Sequence, residues 1–182
     1  MKVNKYYFTL VVVLILAGFG CATNQKNLQL ANRPELVVYE YCKEDAYGAR
    51  LSTDTVKFAN KYYVKDSPPE LGWTYIYLIS DYKIQQITES GDTATVNVIY
   101  NYLATLDLIK KDVYVEDFPF LVEFNLNKED GLWKIASFKT LPCVYKETAL
   151  NYLKQQFKST ATQDEEDKLL SLMEKVKALK EE

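Results

Sequence analysis

The chain has 182 residues, with 25 Asp and Glu against 22 Lys and Arg, and it contains no histidine. The missing imidazole excludes, for the lone chain, Ser-His-Asp and Cys-His nucleophilic catalysis and histidine-ligated zinc, copper or non-haem iron; any acid–base chemistry falls to an Asp, Glu, Lys or Tyr. The mildly acidic balance, without a basic cluster, speaks against nucleic acid as a partner, because phosphate binding needs a basic surface.

A short basic start, Met1 to Lys5, leads into the apolar run Tyr6 to Leu16 and then Ala17-Gly18-Phe19-Gly20-Cys21, the three-part layout of an export signal. The uninterrupted apolar stretch is about fifteen residues, whereas a spanning helix needs about twenty, so a permanent membrane helix is the weaker reading. Small residues in front of Cys21 resemble the lipobox of bacterial lipoproteins, which implies cleavage before Cys21 and a diacylglycerol on its thiol. Gly18 stands where a lipobox usually carries Leu, and bulky Phe19 follows it, which leaves ordinary cleavage or an uncleaved anchor as alternatives. Ala22 takes the place of the aspartate that retains lipoproteins at the inner membrane, which points to the outer membrane, facing the periplasm. The division expected is therefore a signal at 1–20, a lipid-anchored tether at 21–33, a folded domain at 34–157, and a linker with a charged amphipathic helix at 158–182. Losing Lys2 and Lys5 with the signal takes the formal net charge from −3 to −5, and the remaining length suffices for one domain with its own core.

With Cys21 lipidated, Cys42 and Cys143 remain. In an oxidising compartment two cysteines suggest one disulfide, worth about 4.7 kcal/mol in the chain-entropy picture for a loop of roughly 100 residues; two buried thiols are the alternative.

Pro34 and Glu35 suit the first turn of a helix. Val38, Tyr41, Cys42, Ala46 and Ala49 share one face of it, opposite Glu40, Lys43, Glu44 and Arg50. Asp45 falls inside that apolar face, where a carboxylate is either paired with a donor in the core or has a raised pKa. Ser52 to Asn60 opens with Ser/Thr/Asp, capable of N-capping a short second helix carrying Val56, Phe58 and Ala59, and Ser67-Pro68-Pro69 stops any helix.

From Trp73 the period becomes two. Trp73 to Thr88 reads as one bent strand or two short ones, Ser90-Gly91-Asp92 as a hairpin turn, and Thr93 to Leu106 as a strand with Val96, Val98, Tyr100 and Tyr102 on one face. A charged loop is expected from Asp107 to Asp117. Phe118, Phe120, Val122, Phe124 and Leu126 then alternate as a half-buried strand, and Asn127 to Gly131 turns the chain into Leu132 to Thr140. Tyr145 to Phe157 suits a helix against the sheet. Leu169, Leu172, Val176 and Leu179 form a two-heptad stripe on a last helix, which packs back on the domain, meets a partner or a second copy, or stays exposed; two heptads do not specify a coiled coil. Helices followed by a meander define an α+β fold.

The strand-turn-strand of Tyr82 to Leu106, and above all Val122-Glu123-Phe124-Asn125-Leu126 running into Asp130-Gly131-Leu132-Trp133-Lys134-Ile135, resemble the NTF2-like superfamily. The run Asp45-Ala46-Tyr47-Gly48-Ala49-Arg50-Leu51-Ser52 is similar to part of uncharacterised bacterial members. The resemblance implies N-terminal helices packed on a curved antiparallel sheet, a cone of the NTF2-like or cystatin-like kind, with C-terminal helices added. That superfamily holds ketosteroid isomerase-like and polyketide cyclase-like enzymes beside many non-catalytic pocket and assembly domains, so fold alone does not choose a function. The expected pocket residues are Asp45, Tyr41, Tyr100, Tyr102 and Trp133, with no catalytic residue, cofactor or metal assigned. The favoured expectation is a non-catalytic envelope lipoprotein, held to the membrane by its lipid, that binds a small ligand or an envelope protein, with homo-oligomerisation open. Its fifteen tyrosines either serve such a surface or fill a β-rich core. Two alternatives stand beside it: a structural adaptor docking through the last helix, and a histidine-free pocket enzyme using Asp45.

Overall fold

The computed structural model of the protein describes residues 32–52, 54–65, 72–116, 118–159 and 162–180. The export signal, Cys21, the tether up to residue 31 and the Ser67-Pro68-Pro69 stop lie outside the described residues. No helix among those described is long and apolar enough to cross a membrane.

Helix α1 (Pro34–Ala46) starts with proline in its first turn and Glu35 beside it. It buries Val37, Val38, Tyr41, Cys42, Asp45 and Ala46, the three- and four-residue spacing of a single helical face. Gly48 ends it in a left-handed conformation (φ +87°), and a Cβ there would meet Thr148 Cγ2 at 2.9 Å. Backbone freedom and lack of bulk are thus both required at this position. A short 3₁₀ turn, Ala49–Leu51, follows.

Helix α2 (Thr55–Tyr62) differs from expectation in two details. Asp54 occupies the N-cap position without a side-chain cap bond, and Val56 is exposed while Phe58, Ala59 and Tyr62 are buried. Its far end is capped instead from the sheet: Lys134 Nζ donates to the carbonyls of Asn60 (3.3 Å) and Lys61 (2.7 Å), a cation at the negative helix end.

The sheet contains β1 (Tyr75–Ser90), β2 (Thr93–Asp107), β3 (Asp112–Val115), β4 (Pro119–Glu129), β5 (Leu132–Ser137) and β6 (Cys143–Tyr145). Its order is β5-β4-β2-β1-β6, with β3 paired to β2. Gly91 (φ 61°) and Asp92 close the β1–β2 hairpin. The β4–β5 hairpin closes on Asp130 and Gly131, both at positive φ, as a type I′ turn requires. Asn127 to Glu129, expected in that turn, continue β4 instead. The expected charged loop holds β3, because the Asp107 carboxylate accepts from the backbone N–H of Ile109 (2.9 Å) and Lys110 (2.8 Å) and folds the chain back within a few residues. The sheet is mixed rather than antiparallel throughout, since β6 runs parallel to β1.

Register shifts at three places along the β1–β2 ladder leave Ser80, Gln85 and Leu103 without direct partners. Each extra residue bends its strand and switches which side chains face inward. On β1 the inward set passes from Tyr77 and Ile79 to Tyr82 and Ile84; on β2 it passes from Tyr100 and Tyr102 to Thr105. These bulges curl the sheet into a half-barrel.

Two apolar cores result. Inside the curl, α1 and α2 meet Val96, Val98, Tyr100, Val122, Phe124, Leu126, Trp133 and Ile135. Outside it, α3 (Lys146–Phe157) and α4 (Gln163–Ala178) cover Ile76, Leu78, Leu103, Ala104, Leu106 and Val144. The heptad stripe is spent here: Leu169, Leu172, Met173 and Val176 are buried and Leu179 packs beside them. Thr162 caps the start of α4. Lys175 pairs with Asp112 of β3 at 2.7 Å, and Lys146 donates to the Leu179 carbonyl at 3.1 Å. The last helix therefore packs back on the domain.

Candidate functional site

Asp45 points into the core rather than into a cavity. Its carboxylate is wholly buried and accepts from the Cys143 backbone N–H at 3.1 Å and from Arg50 Nη1 at 3.5 Å. Arg50, only 3% exposed, also donates to the Thr140 carbonyl at 3.1 Å and lies 4.4 Å over the Trp73 ring. The pair ties the end of α1 and the 3₁₀ turn to the β5–β6 connection. A carboxylate held this way is not poised to exchange protons with a substrate.

Tyr41, Tyr100 and Trp133 are likewise core. Tyr41 sits where a pocket of the cone would open, ringed by Phe58, Tyr62, Phe124 and Phe138 with centroids 5.2–5.6 Å away. The interior of the curl is thereby filled with aromatic side chains. Burial pushes the phenols of Tyr41 and Tyr100 well above their ordinary range, so both stay neutral. Trp133 is 1% exposed and has Lys128 Nζ 4.5 Å over its ring.

Cys42 and Cys143 are both free and buried in the structure, the alternative to the expected disulfide. Each thiol has its own partners, Cys42 Sγ with the Tyr100 hydroxyl at 3.0 Å and Cys143 Sγ with the Leu141 carbonyl at 3.3 Å. Burial raises both thiols above the usual cysteine range, which makes them poor nucleophiles. Among the described residues no three His, Cys, Asp or Glu side chains gather as metal ligands.

Tyr102, of the expected pocket residues, lines a cleft, whereas Asp45, Tyr41, Tyr100 and Trp133 are no more than 1% exposed. The cleft, of about 160 Å³, lies at the mouth of the curl, and Tyr77, Thr105, Glu116, Phe118 and Phe120 line it with Tyr102. The rings meet as walls: Tyr77 stands at 80° to Tyr102 and 64° to Phe120, and Tyr102 at 85° to Phe120, with centroids 5.2–5.9 Å apart. Phe118 closes on Tyr102 at 5.5 Å while staying 51% exposed. The Tyr102 hydroxyl is bonded to Thr105 Oγ1, an inward neighbour only because of the Leu103 bulge. Glu116 stands on the rim. Burial raises the phenols of Tyr77 and Tyr102, and the negative charge of Glu116 adds to the effect on both.

Sequence reasoning missed Tyr77, Glu116, Phe118 and Phe120 as site residues. Their alternation in sequence gives Phe118 and Phe120 the pattern of an ordinary half-buried strand face. The available signal was a bulky Phe118 placed directly after the acidic pair Glu116-Asp117 at a strand entry.

A second concavity, about 350 Å³, lies between the turn after α1 and helix α3, lined by Tyr47, Gly48, Ser52, Asn151, Tyr152 and Gln155 among others. Its side chains are neutral, and Tyr47 is 70% exposed, edge-on to Tyr145 at 5.5 Å.

The fold and cleft define an α+β domain with a filled cone and an aromatic cleft at its open end. No protein-family model matches the sequence, and no curated protein matches it. Among solved structures, the intermembrane space region of the chloroplast protein ARC6 aligns at 18% identity over 37% of this chain and 55% of that chain, with a TM-score of 0.29; at that score it defines no shared fold.

Proposed function

We propose that this protein is a non-catalytic, lipid-anchored envelope protein whose NTF2-like domain binds a small ligand in the aromatic cleft formed by Tyr77, Tyr102, Phe118 and Phe120. The cleft carries the proposal: aromatic walls from β1, β2 and the entry of β4 converge on one small concavity with the Glu116 carboxylate at its rim, the combination of apolar lining and a few polar groups that small-molecule sites favour. The anchor is Cys21 behind its export signal, placing the domain at the outer membrane, facing the periplasm.

A pocket enzyme using Asp45 is disfavoured because Arg50 and the Cys143 N–H occupy that carboxylate. An adaptor docking through the last helix is disfavoured because the apolar stripe of that helix is already covered by the outer core.

The test is denaturing mass spectrometry of the full protein extracted from its host, comparing wild type with Phe118→Ala and Cys21→Ser. The expected result is a co-purifying compound in wild type that is lost with Phe118→Ala, and loss of both acyl mass and membrane partitioning with Cys21→Ser. A compound retained by Phe118→Ala overturns the cleft assignment, and unchanged partitioning of Cys21→Ser overturns the anchor.

A further inference from the structure

We infer that the cleft is a cation site, taking a methylated or otherwise alkylated ammonium group; this rests on the cleft being the ligand site. A cation gains electrostatically over an aromatic face because the ring quadrupole places negative charge there, and the gain grows as water is excluded. Tyr77, Tyr102 and Phe120 line the cleft together, meeting at 64–85°, while Phe120 also stacks on Tyr100 at 5.2 Å. Phe118 adds a fourth wall from the solvent side.

Charge complementarity points the same way. Among the described lining residues are Glu116 and no lysine or arginine, so the formal charge they bring to the cleft is negative. A carboxylate beside aromatic walls repels an anionic ligand and adds a Coulombic attraction to a cationic one. Size adds a limit. At about 160 Å³ the cleft lies below the ~300–1,000 Å³ of pockets that enclose drug-sized ligands, and it fits a compact headgroup. A compact, weakly hydrated cation such as a trimethylammonium group meets these conditions better than a primary ammonium, whose strong hydration resists transfer to an apolar box.

Two sources supply such a group: a free small molecule or the headgroup of a choline-type lipid near the anchor. The probes are choline, its neutral isostere 3,3-dimethylbutan-1-ol, and vesicles of phosphatidylcholine or phosphatidylglycerol. The full lipidated protein is held in a maltoside micelle for the soluble probes and reconstituted for the vesicles, with ¹⁵N chemical shifts as the readout at constant ionic strength. Choline is expected to shift the amides of Tyr102, Thr105, Glu116, Phe118 and Phe120 and to bind roughly tenfold more tightly than the isostere. Glu116→Gln should narrow that ratio, and Phe118→Ala should weaken both. Shifts with choline alone identify a free ligand, and the same shifts in phosphatidylcholine but not phosphatidylglycerol vesicles identify a headgroup.

Equal binding of choline and isostere, or a ratio unmoved by Glu116→Gln, overturns the cation assignment and leaves a neutral ligand in the proposed cleft. Absence of cleft shifts with any of these probes also overturns it; the proposed function itself falls only if the compound co-purifying with wild type survives Phe118→Ala.

Discussion

Asp45→Ala is the perturbation whose cost follows most directly from the structure. The substitution removes the acceptor for the Cys143 backbone N–H and the counter-charge of Arg50, whose guanidinium is 3% exposed. Arg50 keeps its bond to the Thr140 carbonyl and its place over Trp73, so the cation stays in the core without its carboxylate. Breaking a buried pair by deleting one partner costs about 3–5 kcal/mol, whereas replacing both partners with apolar groups is often close to neutral. For a domain of this size each kcal/mol moves the midpoint by about 2–4 °C, which predicts a fall in Tm of roughly 6–20 °C for Asp45→Ala. The double variant Asp45→Leu/Arg50→Met should recover most of it. Thermal unfolding by circular dichroism at neutral pH reads both. An Asp45→Ala midpoint within about 2 °C of wild type, or a double variant worse than either single change, would refute the assignment of Asp45 and Arg50 as a structural clasp. Ligand binding by a folded Asp45→Asn protein should be unchanged, since the clasp does not line the cleft.

Cys42 and Cys143 should resist alkylation in the native protein and react together once it is unfolded, with no reductant needed to expose them; a requirement for reductant would mean that the pair is oxidised. Both thiols and the phenols of Tyr41 and Tyr100 have folded pKa values raised by burial. The unfolded chain therefore releases protons first as pH rises, and stability is present in full below about pH 8.5 and falls above it, more steeply past about pH 10. Denaturant melts at pH 7, 9 and 10.5 should show that order, and a flat profile would contradict it. Leu172→Ala empties a fully buried position under α4 and should cost about 2–5 kcal/mol; an urea midpoint unchanged from wild type would return the last helix to the role of a free docking arm.

Elements with strong local chemistry were legible in the sequence. Pro34 with Glu35 marks the start of α1, and the Asp130-Gly131 turn fixes the closing hairpin. Strict alternation from Val96 to Tyr102 gives the inner face of β2. The strands β3 and β6 were not legible, because four and three residues are too short to display a period, and β6 pairs in parallel with a strand more than sixty residues earlier. Bulges at Ser80, Gln85 and Leu103 carry no marker residue, yet they decide which side chains face inward. The cleft depends on them: Thr105 joins Tyr102 only because Leu103 is extra. As bulky polar-tipped aromatics, Tyr41, Tyr100 and Trp133 suit a cavity wall. The same bulk fills the cone once α1 is pressed against the sheet, and the open space is displaced to its mouth. Asp45 is recognisable as unusual in the sequence, but helical periodicity puts its partner Arg50 on the opposite face. Gly48 reverses the chain after α1, and the 3₁₀ turn brings Arg50 back under the helix end.

The most direct test of the binding account is to map, by ¹⁵N chemical shifts on the full protein, where a small-molecule extract of its host binds. The account predicts shifts centred on Tyr77, Tyr102, Thr105, Glu116, Phe118 and Phe120, abolished by Phe118→Ala. Shifts centred instead on Tyr47, Ser52, Asn151 and Gln155 would move the site to the groove beside α3 and contradict it.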